Sequence, residues 1–253
     1  MNTQSTRLLT SGCSFTDYCW PTWSDYLGIH FQEYMNCGQA GSDNANIARN
    51  IISNSKSGDV VLIMWSGWNR HVMWNVDGFP TPKNHHNNWQ YNYKRWDKNW
   101  LVNFYNPGER LFSSMDYIKM VDLDSRAKGY IAYHFSAFPW QLGEIEKNSI
   151  KDFEQIFDQY QIQNNFLLDI SLEEYQTIHN FNQPVKNQYN QADRHPTPLC
   201  QYQYLMNVIN PRLKLNFELD IHKYVMFHEQ QVRHGNTIDD KSKKGLLNDK
   251  SLS

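Results

Sequence analysis

Apolar residues along this chain fall into two rhythms, short continuous runs and stripes spaced three and four apart, which alternate from the N-terminus to Trp65. A run at 6–13 predicts a first strand. Trp23, Tyr26 and Leu27 then repeat at three and four behind Pro21, a residue suited to a first helical turn because its missing N–H costs nothing there. Residues 33–37 predict a short second strand, ended by Gly38-Gln39-Ala40-Gly41. Ser42 or Asp43 can cap the next helix, in which Ala45, Ala48, Ile51 and Ile52 form an apolar stripe. Asp59 to Trp65 is a continuous apolar run between Ser57-Gly58 and Ser66-Gly67, the pattern of a strand buried on both faces of a parallel sheet. Strands alternating with helical patterns point to βαβ units.

The segment 71–108 breaks this order. It is crowded with Asn, Trp, Tyr and His, including His85-His86 and Tyr93-Lys94-Arg95-Trp96, and shows little periodicity. It reads as an insertion after the third strand that forms a lid or side wall. Helical spacing returns at Leu111, Met115, Ile118 and Val121, followed by a strand over 129–135. Short helices are predicted at 151–160 and 171–180. A loop from Asp193 to Pro198 leads into a helix carrying Leu199, Tyr202, Leu205 and Ile209, and one more helix lies near 218–232. From about Gly235 the chain is Lys/Asp/Ser-rich and reads as a disordered tail. The expected organisation is one domain over 1–234 and a tail over 235–253.

Composition narrows the function classes. A chain of 253 residues can fold as a single domain with a sizeable core. A net charge of −2 gives no general pull toward nucleic acid or an anionic membrane surface. No apolar run approaches the roughly 18 residues of a membrane span. The start, Met1-Asn2-Thr3-Gln4-Ser5, lacks the features of a signal peptide. Cys13, Cys19, Cys37 and Cys200 form no C-x-x-C pair, so reduced thiols in a cytoplasmic protein are the simplest expectation. The 9 Trp and 15 Tyr exceed what a core requires, which leaves some to line a surface or cleft.

Four short motifs recur at loop positions. Gly12-Cys13-Ser14 ends the first strand, Asn36-x-Gly38-x-x-Gly41 the second, and Gly67-x-Asn69 the third; Asp193-x-His195-Pro196 precedes the last core helix. A parallel sheet would gather them along its carboxyl edge, where open α/β sheets place their chemistry. A serine hydroxyl needs a base, histidine titrates in the right range, and a carboxylate can fix the imidazole tautomer. Backbone N–H groups and a side-chain amide can hold the oxyanion. Each residue also has a plainer reading: Ser14 and Gly41 as turn residues, Asn69 as an Asx-turn residue, His195 as a loop histidine. Cys13 reads as a small buried thiol. His85-His86 lack a second ligand pair at useful spacing for a metal.

Taken in order, the four blocks resemble the SGNH (GDSL-type) hydrolase superfamily. The resemblance covers roughly 6–70 and 190–210. It implies an α/β, flavodoxin-like three-layer αβα fold with a mostly parallel sheet of about five strands, plus the aromatic-rich insertion after strand 3. It implies an esterase with Ser14 as nucleophile, His195 as base and Asp193 as its acidic partner. Ser14, Gly41 and Asn69 would form the oxyanion hole, with no metal or organic cofactor. Three departures stand out: Gly-Cys-Ser-Phe in the first block, Arg70 after Asn69, and one residue rather than two between acid and base. In extended backbone, residues i and i+2 point the same way, so Asp193 can reach His195; the alternative is a dyad oriented by a backbone carbonyl.

Trp and Tyr faces stack on sugar rings, and family members often deacylate carbohydrates. The substrate expectation is therefore a small ester, an acyl group on a carbohydrate, with Trp68, Arg70, Trp89 and Trp96 as candidate substrate contacts. Other readings of the insertion are single-stranded nucleic acid binding, packing over the sheet, or packing against a second copy in a homo-oligomer. Neither nucleic acid nor membrane is expected as a partner. Two other functions stay open: a binding protein that keeps the fold with a degraded site, and an acyltransferase using the same residues.

Overall fold

A computed structural model describes residues 7–68, 106–140, 158–186, 192–213 and 221–234. At its centre β1 (Arg7–Gly12), β2 (Glu33–Asn36), β3 (Val60–Trp65) and β4 (Ile131–Ser136) form a parallel sheet in the order β2-β1-β3-β4. Beyond β4, among the described residues, a single parallel bridge joins Asn165 to His134. Asn164 N-terminal to it sits at φ 46°, a left-handed conformation that ends the extended pairing.

Alternation along the strands divides the core into two layers. Leu8, Leu62, Met64 and Phe135 pack against α1 (Trp23–Gly28), α4 (Leu172–Ile178), α5 (Pro198–Tyr204) and α7 (His222–Arg233). Leu9, Val61, Ile63 and Trp65 pack on the opposite face against α2 (Asn44–Asn54) and α3 (Pro107–Lys128). Helices on both faces of a parallel sheet make this a flavodoxin-like three-layer αβα fold. Val61 to Trp65 are all buried, as the continuous apolar run predicts.

Local chemistry sets the helix boundaries. Asp43 caps α2 by accepting from Asn46 N at 2.9 Å. Gly129, at φ 78°, closes α3 in a left-handed turn. Pro21 lies outside α1, because Thr22 is its N-cap and forms a capping box with Asp25. The buried stripe of α2 runs through Asn44, Ile47, Ala48 and Ile51 rather than through Ala45. The cause is Asn44, whose side chain is drawn inward to the end of β3. In α5, Cys200 and Tyr204 are buried while Leu199 and Tyr202 are only partly so. That helix continues through a wider turn, Leu205–Ile209, into α6 (Asn210–Leu213). Short strands β5 (Val185–Lys186) and β6 (Ala192–Asp193) pair antiparallel, so Asp193 sits on a strand rather than in a loop. The segments 69–105 and 141–157 and the tail from 235, with the insertion, helix and disorder expected there, lie outside the described residues. Among the described residues no helix is long and apolar enough to cross a membrane.

Two buried histidines make the fold sensitive to acid. On β4, His134 accepts from Trp65 Nε1 at 3.0 Å through Nδ1, and burial pushes its pKa down to about 4 against a smaller upward pull from Asp122. Burial likewise pushes His228 on α7 down to about 4. The native state therefore binds fewer protons than the unfolded chain between about pH 6.5 and about pH 4. Stability is expected to fall as pH drops through that window, and His134→Gln should flatten the fall. Urea midpoints compared at about pH 7 and about pH 5 test this; equal wild-type midpoints would refute neutral burial.

Candidate active site

The sheet changes direction at β1: the chain passes from it to β2 on one side and returns to β3 on the other. The crevice at such a switch point is where open α/β sheets hold ligands. Gly12 ends β1 opposite Met64 and has no room for a side chain, since a Cβ would stand 2.8 Å from Met64 O and closer still to Thr16. The chain then folds tightly, with Thr16 N and Asp17 N both donating to Cys13 O at 2.9 and 3.2 Å. Thr22 Oγ1 and Asn36 Nδ2 donate to Thr16 O at 2.7 and 2.9 Å and fix the turn from the α1 and β2 sides. Ser14 stands at its apex and is buried.

His195 reaches this turn from the other end of the chain. Its segment is tied on both sides: Gln176 Nε2 donates to Arg194 O at 2.9 Å, and Trp20 Nε1 donates to Pro196 O at 2.9 Å. The start of α5 is held by Leu199 N donating to the buried Glu229 of α7 at 2.9 Å. In this setting His195 Nε2 lies 2.9 Å from Ser14 Oγ and His195 Nδ1 lies 2.7 Å from Asp193 Oδ1. The same carboxylate oxygen accepts the His195 backbone N–H at 2.8 Å. An acceptor-only carboxylate at Nδ1 places the imidazole proton there and leaves Nε2 to accept from Ser14. The single intervening residue is therefore no obstacle, because the Asp193 side chain folds back over its own backbone.

The environment keeps Asp193 ionised. Burial pushes its pKa up, but hydrogen bonds from the His195 ring, the Tyr18 phenol and the His195 N–H outweigh this and hold it at about 2. Tyr18 is the residue that sequence reasoning missed. Its hydroxyl donates to Asp193 Oδ2, and its ring stacks on the His195 imidazole with centroids 4.0 Å apart and planes at 20°. Phe15 meets the same imidazole edge-on at 5.6 Å. Burial, then Asp193, push the Tyr18 pKa far up, so the phenol remains a donor. No sequence motif marks Tyr18, which lies in an irregular turn.

The other sequence-derived candidates separate. Gly41 takes a left-handed φ of 81° in the β2–α2 loop, which is clipped to β1 by Gln39 N donating to Gly12 O at 3.0 Å. Asn69 lies just beyond the described residues; the chain leading to it is held by Asn44. Asn44 Oδ1 accepts from Ser66 N at 2.9 Å, while its Nδ2 donates to Ser66 O at 3.3 Å and Ser114 Oγ at 3.1 Å. Ser114 Oγ in turn donates to Trp68 O at 3.2 Å. Trp68 is buried in the core layer with Trp65 and Met115, which leaves little of its ring for a substrate. Arg70, Trp89 and Trp96 lie outside the described residues. Among the described residues no three His, Cys, Asp or Glu side chains group as a metal ion would require.

No family model and no curated protein matches the chain. Among solved structures it is similar to the crystal structure of protein YXIM from Bacillus subtilis, with a TM-score of 0.48 and 10% sequence identity. The alignment covers 84% of this chain and 58% of that one.

Because the fold holds Asp193 ionised, the native state binds fewer protons than the unfolded chain, in which an aspartate titrates near about 3.9. The stabilising share of Asp193 is complete above that pH and is lost as pH falls toward about 2. Asp193→Asn is expected to melt below wild type at neutral pH, with the gap closing from about pH 4 to about pH 2. Thermal melts across this range check it, and a constant gap would show that the charge of Asp193 is not what stabilises.

Proposed function

We propose that this chain is a serine hydrolase of SGNH type that cleaves a small ester. The single observation carrying the proposal is the continuous relay from Ser14 Oγ through the His195 ring to Asp193, at 2.9 and 2.7 Å. Ser14 Oγ attacks the acyl carbon while His195 Nε2 takes its proton; the carbonyl π electrons move to oxygen and form the oxyanion. Collapse of the intermediate breaks the ester C–O bond, and His195 returns the proton to the leaving alkoxide. Water, deprotonated by the same Nε2, then attacks the acyl carbon; the bond to Ser14 Oγ breaks, Oγ takes the proton back from Nε2, and the acid is released. Asp193 stays ionised throughout and steadies the imidazolium.

The oxyanion donors in this reading are the N–H groups of Ser14 and Gly41 and the amide of Asn69. It is supported by the fact that, among the described residues, neither the Ser14 nor the Gly41 N–H has a hydrogen-bond acceptor. The substrate we propose, an acyl group on a carbohydrate, rests on the Trp- and Tyr-rich segment 71–108 of the sequence. A binding protein with a degraded site is less well supported, since the short Asp-x-His spacing still leaves His195 Nδ1 2.7 Å from Asp193 Oδ1.

Hydrolysis of p-nitrophenyl acetate tests the assignment. Ser14→Ala is expected to abolish turnover, and His195→Ala to lower it by about 10²–10⁴. Asn69→Ala is expected to cost about 10²–10³ in kcat. Equal rates for wild type and Ser14→Ala would overturn the reading.

A further inference from the structure

We infer that Tyr18 is a positioning residue for the acid–base pair, its hydroxyl fixing Asp193 Oδ2 while its ring fixes the plane of the His195 imidazole. The inference rests on the hydrolase reading and deepens it. With one residue between acid and base, Asp193 Oδ1 is used twice, by the His195 N–H and by Nδ1. Oδ2 is left to find its own donor in a side chain that is only 5% exposed. The terminal torsion of aspartate is soft, so a carboxylate held by one oxygen can swing and carry the imidazole with it. The Tyr18 hydroxyl closes that freedom. Its stacked ring closes the other one, rotation of the imidazole away from Ser14. Tyr18 is itself set by Trp20, whose ring meets it edge-on at 4.6 Å and whose Nε1 holds Pro196. Among the described residues, the titratable groups facing the pair are Tyr18 and, through it, Cys19.

The test is fluorophosphonate labelling of the full-length wild type, Tyr18→Phe and Tyr18→Ala across pH, with NMR of the His195 Nδ1–H proton alongside. Tyr18→Phe keeps the ring and loses the hydroxyl; it is expected to label at Ser14 about tenfold more slowly, the loss of one hydrogen bond to a charged group. Its acid limb should move to higher pH, because a carboxylate that no longer shares its charge with a phenol holds a proton on the coupled pair more tightly. Tyr18→Ala should be slower still, and the Nδ1–H resonance should move in both variants. Wild-type rate, limb and resonance in Tyr18→Phe overturn the inference. So does a slower rate that merely tracks lost thermal stability while limb and resonance stay fixed. If the wild type itself fails to label at Ser14, the hydrolase reading falls, and the Nδ1–H comparison alone then decides for or against Tyr18.

Discussion

Everything at this site depends on holding together two pieces of chain that are 181 residues apart in sequence. Ser14 is fixed by the sheet, because it follows a buried central strand. His195 has no strand of comparable length behind it and is held by hydrogen bonds to its flanking backbone. The bond from Trp20 Nε1 to Pro196 O matters most among these, since Trp20 is 2% exposed and belongs to the same loop as Ser14. Moving the histidine segment away would leave a buried indole N–H without a partner, a cost of about 1–3 kcal/mol. Gln176 and Glu229 add ties from α4 and α7, so three separate elements oppose the same displacement.

The nearer parts of the site follow from topology alone. In the parallel register Gly12 lies beside Met64 and Thr10 beside Asn36, so the loops after β1, β2 and β3 leave the sheet at one edge. The Gln39–Gly12 hydrogen bond then draws the β2–α2 loop over the end of β1. Asn44 does the corresponding work for β3: an amide at the start of α2 satisfies both backbone groups of Ser66. A polar side chain thus occupies the apolar stripe of a helix because the sheet edge beside it carries unpaired backbone.

Strands and loops were legible in the sequence for a physical reason. A strand buried on both faces must be continuously apolar, as Val61 to Trp65 are, and glycine marks close approach, as Gly12 does against Met64. The bridge from Asn165 to β4 was not legible, since it follows a left-handed turn at Asn164 that apolar spacing does not encode. Nor were Asn44 and Tyr18, whose roles exist only once distant segments meet. The short spacing between Asp193 and His195 signalled a difference from the family pattern without saying how it is absorbed. That answer lies in a side chain bent over its own backbone and in a phenol supplied from another loop.

This solution changes what kind of electrostatics the site uses. At the amino edge of the sheet, Asp59 is kept in place by a guanidinium, with Arg7 Nη2 2.6 Å from its Oδ2. Asp193, at the carboxyl edge, is kept ionised by a ring N–H, a backbone N–H and a phenol. A full charge acts over several ångströms and is weakened by salt. Oriented donors act only at hydrogen-bond distance and angle. The ionisation of Asp193 is therefore a property of local geometry. Loosening the ties around Pro196 would displace the base from Ser14 and, in the same movement, take Asp193 away from the Tyr18 phenol, one of the donors that keep it charged. Position and protonation at this site are one constraint, and the residues that enforce it lie outside the three that pass the proton.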